Sequence, residues 1–388
     1  MKDGWEIKKL GEVCTIKGRI GFRGYTRDDL VAKGEGAITL SPSNIINDVL
    51  SFDKCQYISW FKYEESPEIQ IFNGDIIYAK TASIGKVALV KDLPEKATIN
   101  PQFVVFKDIK CYSPYLYYAV KSENFKLQIS LITNGVAIPT VSQNNMANLS
   151  IPIPPLPTQE RIVSELDCIN SIIEKKREQL KELDALAQSI FYDMFGDPIH
   201  NEKGWEVRKL GEVAPAKEFK GIVPSIDGKY WLLNLDMVVA HSGEIVEQCY
   251  FEPNEIGNST IVFSTDNVLY SKLRPYLNKV VVPYDIGYAT SELVPLCPNK
   301  DMLDRIYLAH VLRSTSFVEY ISEKVAGAKM PRVSMSEFRA FPLPLPPLPL
   351  QQSFASKIEV IEKQKEVIKR SIAETETLLA SRMQHYFG

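Results

Sequence analysis

The chain repeats itself, and the repetition constrains its fold more than any other feature. GWEIKKLGEV at Gly4–Val13 returns as GWEVRKLGEV at Gly204–Val213, with eight of ten positions identical. GDIIYAK at Gly74–Lys80 aligns with DNVLYSK at Asp266–Lys272. GVAIPTVSQNNMANLSIPIPPLP from Gly135 matches GAKMPRVSMSEFRAFPLPLPPLP from Gly327, and DMFG ending at Gly196 is echoed by HYFG ending at Gly388. Matches that keep one order along the chain mark a duplicated unit. At 388 residues, 45% of them hydrophobic, each copy can bury a core of its own.

Each copy follows one plan. Short β-rich runs come first, such as VVFK at Val104, IVFS at Ile261 and KVVVPY at Lys279, with helical stretches among them: SPYLYYAVKS at Ser113 and MLDRIYLAHVLRS at Met302. A proline-rich strip follows, IPIPPLP or LPLPPLP, and is expected to be extended because each proline fixes φ and disfavours helix before it. The strip contains PxxP, which could serve as an SH3-type ligand. A rigid connector is the simpler role, because the strip recurs just before a long helix in both copies.

From Thr158 to about Phe195 there is no proline or glycine. Apolar residues recur there at alternating spacings of four and three, through Ile162, Leu166, Ile169, Ile173, Lys176, Leu180, Leu183, Ala187, Ile190 and Met194. The second copy keeps the register through Phe354, Ile358, Ile361, Lys365, Ile368, Ile372, Thr375, Leu379, Arg382 and Tyr386, and weakens where Thr375 and Arg382 replace apolar residues. This is the seam of a coiled coil. The alternative is two ordinary amphipathic helices, each packed on its own domain, but a seam of about 57 Å outruns a small domain. The expectation is therefore an α+β protein: two mixed α/β domains joined by two long antiparallel coiled-coil helices in an internal pseudo-two-fold repeat. The boundaries read as a first domain at 1–157, a helix at 158–196, a second domain at 197–349 and a helix at 350–388. DNA, with dyad symmetry in its backbone, suits such an arrangement.

Other classes lose ground on the residues. The start MKDGWEIKKL lacks the apolar core of a signal peptide, and no run of about 18 apolar residues occurs. Six scattered cysteines (Cys14, Cys55, Cys111, Cys168, Cys249, Cys297) form no CxxC pair, and four histidines (His200, His241, His310, His385) are equally dispersed. Neither a metal centre nor a disulfide framework is expected, and a reduced cytoplasm is the default location. An adenine methyltransferase would need (N/D)PP(Y/F); the nearest approach, Asn100-Pro101-Gln102-Phe103, has glutamine for the second proline, and the second copy has Thr290-Ser291-Glu292-Leu293. A glycine-rich S-adenosylmethionine turn and a GxxxxGK(S/T) loop are both missing, so methyl transfer and a nucleotide-driven motor are not expected here. Glu64–Glu65 and Asp28–Asp29 read as solvated charge. A net charge of −3 decides nothing until the basic residues are placed.

Two GWE…KLGEV starts, two PPLP junctions followed by glutamine and two terminal helices ending in FG resemble the specificity subunit of Type I restriction–modification systems, over essentially the whole chain. The resemblance implies a non-catalytic reader of double-stranded DNA in which each domain reads half of a split target. It also implies two methyltransferase subunits and a restriction/translocase subunit as partners, which would carry S-adenosylmethionine, ATP and Mg. The second junction departs from the pattern: PPLPLQQSF has glutamine where an acid is common. The domain sequences diverge from each other, which implies an asymmetric target whose adenines the partners methylate. A protein-only scaffold and a specificity partner of a Type IIB-like enzyme are the competing readings.

Phosphate contacts need cations or amides, and base edges are read by Arg, Lys, Asn or Gln. The first copy offers Arg19, Arg23 and Arg27 in KGRIGFRGYTR, Lys80 and Lys86 flanking KTASIGK, and Asn134, Thr140 and Gln143 in a third polar loop. The second offers Lys217 and Lys220, then Lys272, Arg274 and Lys279 in SKLRPYLNK, then Lys329 and Arg332 in GAKMPR. Any one of these alone could be a solvated charge. What singles them out is that the second and third clusters recur at matching places in both copies.

Overall fold

A computed structural model describes residues 4–133, 140–257, 259–325 and 331–388. The chain forms two compact units, Met1–Lys176 with Ser371–Gly388, and Arg177–Arg370.

In the first unit a four-stranded antiparallel sheet runs in the order Val87–Leu89, Ile76–Ala79, Phe103–Lys107, Thr15–Lys17. Its central strands read as unbroken apolar runs because both faces are covered. Ile76, Tyr78, Val104 and Phe106 face the helices Ser113–Lys121 and Glu123–Thr133. The alternate residues Ile77, Ala79, Phe103 and Val105 pack on a five-stranded sheet, ordered Leu30–Val31, Gln56–Ser59, Gly36–Leu40, Ala97–Ile99, Gln70–Ile71. The second unit repeats this layering. Val280–Val281, Val268–Ser271 and Leu293–Leu296 form its middle sheet. Val268, Tyr270 and Val294 turn to the helices Arg305–Arg313 and Thr315–Glu323, and Leu269, Val281 and Leu293 to the other sheet.

The proline strip does more than connect. Ser150–Ile153 pairs antiparallel with Glu6–Lys9, and Pro342–Leu345 pairs with Glu206–Lys209 in the same register. Prolines are tolerated because a two-stranded ribbon leaves one edge of each strand unpaired. The long helices begin inside the strip, at Leu156 and Leu348, two residues earlier than the spacing predicts. Pro157 and Pro349 sit in first turns, whose N–H groups have no intrahelical acceptor. The glutamine after each strip, Gln159 or Gln351, is buried and locks the junction. Gln159 accepts from Tyr112 N (2.9 Å) and donates to Pro154 O (2.7 Å). Gln351 accepts from Asp304 N (2.9 Å) and donates to Met302 O (3.0 Å) and Pro346 O (2.7 Å).

The helices Leu156–Phe195 and Leu348–Phe387 pair antiparallel. In the first unit Tyr386 Oη donates to Glu165 (2.6 Å), Arg382 pairs with Glu165 (2.7 Å), and Lys176 donates to Ser371 Oγ (2.7 Å) and Thr375 Oγ1 (3.0 Å). In the second, Lys365 bridges Asp184 (2.7 Å) and Glu362 (2.9 Å). The expected seam residues Leu166, Ile169, Ile173, Ile358 and Ile361 are buried. Leu180, Leu183, Ile368, Ile372 and Leu379 are partly buried. Arg382 is the exception, exposed on the flank while Met383 packs inside.

The FG endings explain themselves. Phe387 enters the core of the first unit 5.4 Å from Tyr115, and Phe195 that of the second, 4.7 Å from the equivalent Tyr307. The last helical residues of each copy thus complete the domain of the other copy.

Candidate nucleic-acid interface

The cluster after the second core strand is built twice on one backbone frame. Lys80 N donates to Gln102 O (2.8 Å), and Lys272 N to Glu292 O (3.0 Å). Val141 N donates to Lys80 O (3.0 Å), and Val333 N to Lys272 O (2.9 Å). β-Bridges join Thr81 to Thr140 and Leu273 to Arg332. The turns between carry left-handed residues, Ala82 (φ 62°) and Gly85 (φ 96°) in one, Arg274 (φ 50°) and Asn278 (φ 47°) in the other. Such strain in a non-glycine residue clusters at functional loops.

Within these frames the predicted residues separate. In the first unit Lys80, Thr140 and Gln143 converge. A Cβ built on Gly18 would lie 2.8 Å from the Gln143 amide, 3.2 Å from Val104 Cγ1 and 3.5 Å from Lys80 Nζ, so these side chains close around the glycine. With its amide turned to satisfy both neighbours, Gln143 donates to Ile16 O (3.1 Å) and accepts from Gly18 N (3.2 Å). Burial lowers the pKa of Lys80, and among the described residues its ammonium has no hydrogen-bond partner. Thr81 and Thr140 share a hydroxyl hydrogen bond (3.2 Å). In the second unit Arg332 pairs with Glu292 (2.7 Å), Lys272 Nζ donates to Ser291 O (2.7 Å), and Arg274 is exposed on its left-handed turn.

Lys86 and Lys279 play another part. Lys86 Nζ donates to Pro42 O (3.0 Å) and Ile45 O (3.4 Å), and Lys279 Nζ to Leu235 O (2.7 Å). Each ammonium braces the frame against a short helical turn, Pro42–Asn44 or Leu235–Met237.

The first arginine cluster is built on short turns. Gly21–Arg23 and Arg27–Asp29 are 3-10 turns. Arg19 is 6% exposed, donates to Arg23 O (3.3 Å) and Ile99 O (3.4 Å), and lies over the Tyr25 ring (5.1 Å). Burial lowers its pKa, and its place is structural. Arg23 is partly buried with Glu68 at 3.6 Å, and Arg27 is exposed. Lys217 and Lys220 are also exposed; Lys217 is held by its backbone, its N–H donating to Pro295 O (2.8 Å). Asn134 and Lys329 lie outside the described residues. Sequence reasoning names Gln102 and Glu292 only as departures from a methyltransferase motif, whereas the structure puts both on the matched frames. Their place immediately before matched core strands is the signal that marks them.

Two copies of one α+β module, each closed by the other copy's helix end and each presenting a matched polar corner, make this a tandem-repeat α+β protein. Residues 2–184 and 202–377 match the family described as Type I restriction modification DNA specificity domain, and the chain belongs to that family. The chain is similar to the Type I restriction enzyme MjaIX specificity subunit of Methanocaldococcus jannaschii, 22% identical over 94% of this chain and 89% of that one. The EcoDI specificity subunit of Escherichia coli is 21% identical over 73% and 70%. Among solved structures, a chain from a study of complex assembly and conformational transition of the type I R-M system superposes with a TM-score of 0.58 at 20% identity, covering 99% and 98%. A Type I S subunit from M. genitalium gives 0.54 at 12% identity, covering 99% and 96%. The protein is a DNA-specificity subunit of a Type I restriction–modification system. Among the described residues no helix is long and apolar enough to cross a membrane.

Proposed function

We propose that this chain reads a bipartite, asymmetric target in double-stranded DNA and performs no chemistry itself. On this reading two methyltransferase subunits and a restriction/translocase subunit act at the site it selects, in the cytoplasm, supplying S-adenosylmethionine, ATP and Mg. One observation carries the asymmetry: the same backbone frame recurs in both units while its side chains differ, Gln102, Thr140 and Gln143 against Glu292, Arg332 and Met335. Exposed cations, Arg27, Lys217, Lys220 and Arg274, supply the sequence-independent phosphate term. The test is binding of the chain, assembled with its methyltransferase partner, to labelled duplexes across a salt series. Sequence-selective, salt-dependent binding is expected. Binding to protein partners without selective DNA binding would favour a scaffold, and labelled methyl transfer by this chain alone would refute the non-catalytic reading.

A further inference from the structure

The matched corners allow the residues that select bases to be separated from those that build the frame. Of the side chains on the shared frame, the lysine is constant (Lys80, Lys272), as are its backbone partners. A constant residue cannot distinguish two different half-sites. Discrimination must come from positions that change, and two of these touch in the second unit. Arg332 stands with 57% of its side chain exposed, one amino group held by Glu292 Oε1 at 2.7 Å. Glu292 is 22% exposed, and its second oxygen is buried with no partner among the described residues. That carboxylate is fixed at the start of a core strand, Leu293–Leu296, so it sets the direction of the guanidinium. The backbone on either side is pinned as well, by the bridge to Leu273 and by Val333 N on Lys272 O. A guanidinium tethered at one nitrogen on a rigid frame leaves further N–H donors for a planar pair of acceptors. Guanine offers such a pair in the major groove, O6 with N7.

We propose that Arg332, positioned by Glu292, reads a guanine in the half-site of the second domain, and that the equivalent Thr140–Gln102 slot makes the first domain read something else. Thr140 is short and tied to Thr81 at 3.2 Å, so the first corner has no cationic fork at this place. The inference rests on the DNA-reading function proposed above and adds the residue, the base and the positioning partner.

The test uses the full chain assembled with its methyltransferase partner. Methylome sequencing first gives the wild-type target; anisotropy then measures binding to duplexes substituted at each position of both half-sites. Wild-type complex should prefer guanine at one position of one half-site by roughly ten- to a hundredfold. Arg332→Gln should reduce that preference to within about threefold or shift it toward adenine, leaving the other half-site unchanged. Glu292→Gln should lower the same ratio more than it lowers affinity, which a purely structural role would not do. Arg274→Gln should weaken all duplexes alike. If Arg332→Gln fails to assemble, Arg332→Met keeps the length of the side chain without any donor and should likewise lose guanine preference. An unchanged ratio at every position, or an equal loss on all duplexes, would overturn the assignment. Wild-type complex with no sequence preference would instead refute the underlying function.

Discussion

Replacing Gln351 tests whether the junction between strip and helix is held by one buried amide. The side chain is fully buried and makes three hydrogen bonds, to Asp304 N, Met302 O and Pro346 O. Gln351→Leu preserves the volume and leaves those three backbone groups without their partner. The Pro346 contact is wholly buried, while the other two are partly buried and can recover some hydration. At about 1–3 kcal/mol for a fully orphaned group, the loss should be roughly 2–4 kcal/mol and independent of pH. Gln351→Glu keeps the acceptor for Asp304 N but turns a carboxylate toward two carbonyl oxygens. Burial and those oxygens disfavour its charged form, so its folded pKa lies above the unfolded value of about 4.3. Its stability is therefore retained below about pH 4, where the acid can donate to one carbonyl. It then falls by about 1.4 kcal/mol per pH unit as pH rises through the window up to the folded pKa. Denaturant unfolding at pH 4, 6 and 8, followed by circular dichroism, separates the two variants. If both stay within about 0.5 kcal/mol of wild type at every pH, the amide does not hold the junction.

Phe387→Ala, at the penultimate residue, should destabilise the first unit by about 3 kcal/mol because Phe387 is 1% exposed against Tyr115; unfolding no different from wild type would make the FG ending an ordinary frayed terminus. Lys86→Met and Lys279→Met should each cost about 1–2 kcal/mol of stability while leaving the salt slope of DNA binding intact, whereas Arg274→Gln should lower that slope by about one; a titration series over salt with each variant checks the split. Burial between Phe191 and Phe354 pushes the His310 pKa down to about 3. A folded value below the unfolded 6.5 means that its contribution is complete above pH 6.5 and lost as pH falls toward 3, on the order of 2–3 kcal/mol by pH 4.5. His310→Tyr, the residue at the matching position of the first copy, should flatten this dependence in acid unfolding curves.

Much of the fold was legible because it rests on local pattern. The duplication, the heptad through Leu166 and Ile358, and the short strands all declare themselves by spacing. The helix start at Leu156 was missed because proline reads as a breaker, although the first turn tolerates it. The inward turn of Met383 in place of Arg382 shows a seam obeying the packing of Tyr386 and Phe387 rather than a strict repeat. The corner residues were harder. Lys80 and Lys86 look alike in KTASIGK, yet Lys86 is drawn to carbonyls about forty residues away in sequence, a contact no local pattern reveals. Arg19 was hidden in the same way, by Ile99 and Tyr25. Glu292 was visible only as a failed catalytic motif until its pairing with Arg332 gave it a direction.

The central claim is that two divergent modules on one frame read two different halves of a single target. Methylome sequencing of cells with the chain, with it deleted, and with the deletion complemented tests this most directly. The account predicts one modified motif made of two unlike half-sites separated by a fixed, unread spacer, lost on deletion and restored by complementation. A motif that survives deletion, or one that is continuous or palindromic, would contradict it.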